Sequence, residues 1–136
     1  MILLDTSGLL AAIDSSQREH ERCAAALRQS RGPRLLSPFV LAELDYLLGA
    51  RVGVEAQTAL LEEVARGVYR VEPFTGDDVA TAIRVIARYG KLRIGLADAS
   101  LVVLAARSGA RDLLTLDHRH FRVVRRLNGR PFHLLP

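Results

Sequence analysis

The sequence predicts an α/β domain over residues 1–136, built on a central parallel sheet of four to five short strands flanked by helices. Two observations carry this. Short apolar runs, Ile2-Leu3-Leu4 first among them, stop abruptly on a carboxylate or hydroxyl, as strands buried on both faces do. Between those runs lie longer stretches with helical patterning, and strands that alternate with helices pair in parallel.

The strand at the amino terminus hands over to Asp5 at its carboxyl end, the edge where open α/β sheets bind ligands. A short helix over 7–13 follows, capped by Thr6 or Ser7, then a more polar helix over 16–29. Gly32-Pro33 breaks the chain before a strand over 34–36. Ser37-Pro38 is an N-cap with Pro at the first helical position, opening a helix over 38–50 that ends near Gly49. A helix over 54–66 and a strand over 68–71 come next. Gly76 starts a helix that runs through Tyr89, with Gly90 at its carboxyl cap. An apolar helix from Leu96 to about Ser108 ends at Gly109, and strands over 113–116 and 131–135 complete the sheet. Repeats, low-complexity segments and linkers are absent.

With 49% apolar and 25% charged residues the composition is globular, and no run of apolar residues is long enough to cross a membrane. The first apolar run is too short for a signal peptide and has no basic region before it. A lone cysteine, Cys23, sits among alanines and suits a small core position. These features predict a cytoplasmic protein. The net charge is +4 and the pI about 10.0, carried almost wholly by arginine, with Lys91 the single lysine. Arginine's planar fork suits phosphate, although a GC-rich genome explains the same bias.

Several carboxylates stand where charge is costly. Asp98 lies in the first turn of the apolar helix, and a buried carboxylate needs a cation or a proton. Asp117 follows the strand over 113–116 directly, as Asp5 follows its own strand, so both face one sheet edge. Asp112 belongs at the opposite edge, and Asp77 and Asp78 read as first-turn charges. Glu43 and Asp45 point in different directions from one helix, and spacing does not choose between them. Converging carboxylates without a His/Cys set favour Mg²⁺ or Mn²⁺ over Zn²⁺, and phosphodiester hydrolysis is the chemistry such a centre serves.

Four segments in order resemble the PIN-domain ribonucleases, specifically the VapC-type toxins of bacterial toxin–antitoxin pairs. They are Leu4-Asp5-Thr6-Ser7, Ser37 through Leu47, Arg93 through Ser100, and Leu114 through Phe121. The resemblance implies an acidic centre at Asp5, Glu43, Asp98 and Asp117, choosing Glu43 over Asp45. Asp5 and Asp98 become the direct Mg²⁺ ligands, with Mn²⁺ as a substitute. Thr6 and Thr115 become hydroxyls that orient the carboxylates, Thr6 holding Asp5. It also implies hydrolysis of RNA, within a transfer RNA or a ribosomal RNA loop, by metal-activated water without a covalent intermediate. A homodimer, a small antitoxin and larger toxin–antitoxin assemblies are implied as well. Arg93, Arg119 and Arg122 are the basic residues expected near the RNA. His118-x-His120 has the look of a metal pair, but its two-residue spacing is a weak signal. A haloacid-dehalogenase-like phosphatase needs a second Asp at position 7, which is Ser7. The other rival, a non-catalytic RNA- or antitoxin-binding module, is favoured only by loss of an acidic position, and all four are present.

Overall fold

The structure, a computed structural model, describes residues 1–136. Strand β1 (Ile2–Leu4) is wholly buried and forms the centre of a five-stranded sheet. Around it lie β2 (Arg34–Leu36), β3 (Arg70–Val71), β4 (Asp112–Leu114) and β5 (His133–Leu135), in the order β3-β2-β1-β4-β5. Every pairing is parallel. The helices are α1 (Thr6–Ile13), α2 (His20–Gln29), α3 (Pro38–Arg51), α4 (Val54–Ala65), α5 (Gly76–Arg88), α6 (Leu96–Ser108) and α7 (His118–Phe121). None is long and apolar enough to cross a membrane.

The chain leaves β1 toward β2 and β3, then returns across β1 to build β4 and β5 on its other side. The crevice at the strands' carboxyl ends, between β1 and β4, is therefore the topological switch point where such sheets bind ligands. Leu4 is in register with Leu36 and Leu114, so Ser37, Asp5 and Thr115 emerge side by side at that edge. Helix α1 crosses the sheet so closely that a Cβ added at Gly8 would lie 2.5 Å from the Leu114 carbonyl oxygen. Only glycine fits there. Helix α6 is buried from Ala99 to Ala105, as its apolar sequence predicts, and Cys23 is fully buried.

Several boundaries differ from the sequence reading. Helix α1 begins at Thr6 with Asp5 at its N-cap, and no side chain caps it, so neither Thr6 nor Ser7 has that role. Helix α2 starts at His20 rather than 16, because Asp14 accepts from the Ser16 backbone N–H, the Ser16 hydroxyl and Gln17. Such local bonding competes with helix. Helix α3 runs past Gly49 to Arg51, and α5 stops at Arg88, leaving Gly90 to open a 3₁₀ turn. Strand β3 keeps only two of its four expected residues. Strand β4 ends at Leu114, so Thr115, not Asp117, is the counterpart of Asp5. The predicted Ser37 cap holds, its hydroxyl accepting from the Phe39 N–H. The same hydroxyl meets Ser100 at 2.6 Å in the core, tying α3 to α6.

Candidate active site

Asp5 is 5% exposed, and its Oδ2 accepts two hydrogen bonds of 2.7 Å, from the hydroxyls of Ser7 and Thr115. Each hydroxyl is itself aimed by backbone: the Leu116 N–H donates to Ser7 and the Asp117 N–H to Thr115. A hydroxyl that accepts from a fixed N–H has its own hydrogen directed elsewhere, here onto Asp5. Burial nonetheless outweighs these bonds and raises the Asp5 pKa, with the nearby charge of Asp117 adding to the rise.

Asp98, in the first turn of α6, is pushed up to about 6 by burial first and then by the charge of Asp5. The backbone of Gly95 and the charge of His120 act against that rise, and Asp117 adds to it. Asp117 caps α7, its carboxylate accepting from the His120 N–H. The His120 ring stands beside it, Nδ1 lying 2.8 Å from Asp117 Oδ2 and 3.9 Å from Asp98 Oδ2. That nitrogen is close enough to pair with charge but is not aligned for a hydrogen bond. No Lys or Arg pairs with any of these carboxylates.

Glu43 approaches from α3, its Oε2 accepting a 2.6 Å bond from the Thr6 hydroxyl. Asp45 instead accepts from Gln57 on α4 and faces away. Glu43 is exposed, so its charge is not costly there as those of Asp5 and Asp98 are. Thr6 does not hold Asp5 by its hydroxyl, as expected from the sequence; that hydroxyl serves Glu43, while only the Thr6 backbone supports Asp5. Ser7, which sequence reasoning passed over as a cap, holds Asp5 alongside Thr115. Arg93, Arg119 and Arg122 are exposed, and Arg93 has a left-handed backbone with φ 51°. His118 and His120 are not gathered into a metal group, and His118 Nε2 is buried without a partner.

The carboxylates form an open site. No group of three or more His, Cys, Asp or Glu side chains is gathered to hold an ion by itself. The donor set fits Mg²⁺ nonetheless, since that ion keeps several waters and takes only one or two carboxylates. Asp98, disfavoured as an anion by Asp5 and Asp117, is the carboxyl that a cation would relieve. A separate groove beside α2 and β5, lined by Arg22, Arg31, Asp112 and Pro136, contains none of these carboxylates.

A parallel sheet with carboxylates at its switch point defines a class of α/β proteins with an acidic crevice. The PIN-domain profile matches residues 2–127. The chain is 40% identical over 135 residues to ribonuclease VapC26 of Mycobacterium tuberculosis, covering 99% of this chain and 100% of that protein. The chain therefore belongs to the PIN-domain family and, within it, to the VapC ribonucleases, the toxins of toxin–antitoxin pairs. Its fold is similar to that of Mycobacterium tuberculosis VapC20, a sarcin–ricin loop cleaving toxin. The TM-score is 0.80 at 23% identity, with 87% of this chain and 91% of that one covered. It is also similar to VapBC2 of Rickettsia felis bound to a promoter DNA fragment, with TM-score 0.70 at 18% identity and complete coverage of both chains.

Proposed function

We propose that residues 1–136 form one catalytic domain whose acidic centre is Asp5, Glu43, Asp98 and Asp117, and that it cleaves a ribosomal RNA loop with Mg²⁺, or Mn²⁺ in its place. Asp5 and Asp98 bind the ion directly, and Glu43 and Asp117 complete the cluster. The observation that carries this reading is the mutual repulsion of Asp5, Asp98 and Asp117 in a half-buried crevice, with no Lys or Arg to offset it. A bound Mg²⁺ would acidify a coordinated water and neutralise charge on the leaving oxygen. The chain's own contribution is orientation. Ser7 and Thr115 occupy Oδ2 of Asp5, which leaves Oδ1 for the ion, and Thr6 sets the rotamer of Glu43. Hydrolysis proceeds without a covalent intermediate.

The choice of RNA rests on VapC20, which shares the fold and cleaves the sarcin–ricin loop. A small antitoxin is the proposed partner in the cytoplasm, supported by the VapBC complexes of Rickettsia felis and Salmonella typhimurium. Exposed Tyr46, Val54 and Ile83 offer apolar surface for the antitoxin and for a second copy in a homodimer or larger assembly.

Protein purified free of antitoxin is expected to cut a synthetic sarcin–ricin hairpin in Mg²⁺ and to stop on addition of EDTA. Asp5→Asn and Asp98→Asn are expected to abolish cutting. Undiminished cleavage by both variants would overturn the assignment of the centre.

A further inference from the structure

The surplus of positive charge in this chain comes from two stretches that flank Asp98 and Asp117 in the sequence. Residues 79–97 and 118–136 contain nine of the nineteen Arg and Lys residues and not one Asp or Glu. The remaining ten basic residues are outnumbered by the fifteen acidic ones, so the whole surplus of +4 comes from these stretches. None of the nine makes an ion pair with a carboxylate; the arginines that do are Arg18, Arg22, Arg70 and Arg107. Unpaired basic side chains repel one another unless a polyanion lies against them.

The two stretches meet. The Arg125 N–H donates to the Tyr89 hydroxyl at 3.1 Å, and the Arg88 guanidinium lies 5.6 Å from the Tyr89 ring centre. Between them is a groove of about 570 Å³ lined by Arg88, Tyr89, Lys91, Leu92 and Val123. That volume falls in the range of about 300–1,000 Å³ typical of ligand sites. Val123 is 51% exposed, an apolar surface left open beside unpaired cations. A groove that combines basic side chains with aromatic and apolar ones is how proteins hold a single nucleic-acid strand, phosphates on the cations and bases against the rings.

The groove is joined by short chain to both halves of the site. Lys91 and Leu92 lead through Gly95 into α6, which carries Asp98, and Asp117 caps α7, which leads directly to Val123. We propose that this groove binds the RNA strand flanking the cleaved bond, with Arg88, Lys91 and Arg125 on its phosphates and a base against Tyr89 and Val123. The proposal rests on the ribonuclease reading and adds a subsite to it. The contacts are to backbone and base face, so the groove supplies affinity rather than sequence choice.

The test uses full-length protein carrying Asp5→Asn, which holds RNA uncut, and a fluorescein-labelled sarcin–ricin hairpin. Combined Arg88→Ala, Lys91→Ala and Arg125→Ala is expected to weaken binding at least about tenfold and to flatten its salt dependence by roughly one unit of slope per lost phosphate contact. Combined Arg28→Ala, Arg51→Ala and Arg66→Ala, three exposed arginines without ion pairs outside the groove, is the charge-matched control and is expected to leave both nearly unchanged. Because Lys91 is the only lysine, its acetylation, followed by mass spectrometry, reports the groove directly and needs no substitution. The hairpin is expected to slow that acetylation several-fold. Equal affinity and salt slope in the triple variant, or Lys91 protected by antitoxin and not by RNA, would overturn the proposal while leaving the cleavage reading intact. Absence of both cleavage and binding in the unsubstituted protein would overturn the two together.

Discussion

The Thr115 hydroxyl donates a 2.7 Å hydrogen bond to Asp5 Oδ2, joining residues 110 positions apart at the carboxyl ends of neighbouring strands. Ser7 donates to the same oxygen, and both hydroxyls are aimed by backbone N–H groups. Asp5 is thereby held with its Oδ2 doubly hydrogen-bonded. Thr115→Val keeps the shape and removes the donor. The expected result is a 10–100-fold weaker apparent Mg²⁺ affinity, read as the Mg²⁺ concentration giving half-maximal cleavage, with Ser7→Ala acting in the same direction.

Asp98 links pH to stability. Its carboxyl ionises near 3.8 when unfolded and near 6 in the fold. Between those values the folded state binds more protons, so the contribution of Asp98 to stability falls as pH rises from about 4 to about 6 and stays low above that. Asp98→Asn removes the penalty. Without divalent cation, this variant is expected to melt above the parent at pH 7 by the equivalent of about 1–2 kcal/mol, after allowance for solvent screening. The difference is expected to vanish at pH 4. Mg²⁺ should raise the parent's Tm and close the gap at pH 7 from the other side.

Glu43 and Asp45 offer a paired comparison on one helix. Glu43 takes the Thr6 hydroxyl at the sheet edge, and Asp45 takes Gln57 on α4. Glu43→Gln is expected to lower the cleavage rate by about 10–100-fold. Asp45→Asn should leave it little changed. Comparable losses in both would show that the edge-facing orientation of Glu43 has no bearing on activity.

Gly8 and Gly109 separate steric crowding from backbone strain. A Cβ at Gly8 would meet the Leu114 backbone at 2.5 Å, whereas at Gly109 it meets nothing but the backbone has φ +77°. Gly109→Ala is expected to cost about 1–2 kcal/mol and leave cleavage intact. Gly8→Ala should cost about 3 kcal/mol or more. It should also reduce cleavage, because pushing Leu114 away moves Thr115 off Asp5. Thermal melts and single-turnover cleavage of the two variants check this.

Sequence alone determined the layers and the order of elements. Strands β1 and β2, the Ser37-Pro38 helix start and the whole of α6 could be read from apolar patterning and Gly/Pro punctuation, because those signals are local; the same signals start β5 two residues too early. It also singled out Asp5, Asp98 and Asp117 as charges in costly places, and resemblance to a family supplied Glu43. Tertiary structure decided which side chain serves which. The Ser7 hydroxyl looks like a cap in sequence, but the Leu116 N–H from across the sheet turns it onto Asp5. Thr6 is drawn to Glu43 because α3 brings that carboxylate within 2.6 Å. His120 gains meaning only when the α7 turn sets it beside Asp117 and Asp98. The sheet edge where Asp5 and Thr115 meet is a matter of register between strands more than a hundred residues apart. No local pattern encodes such a register; it exists only once β1 and β4 pair, with Gly8 of α1 packed against Leu114.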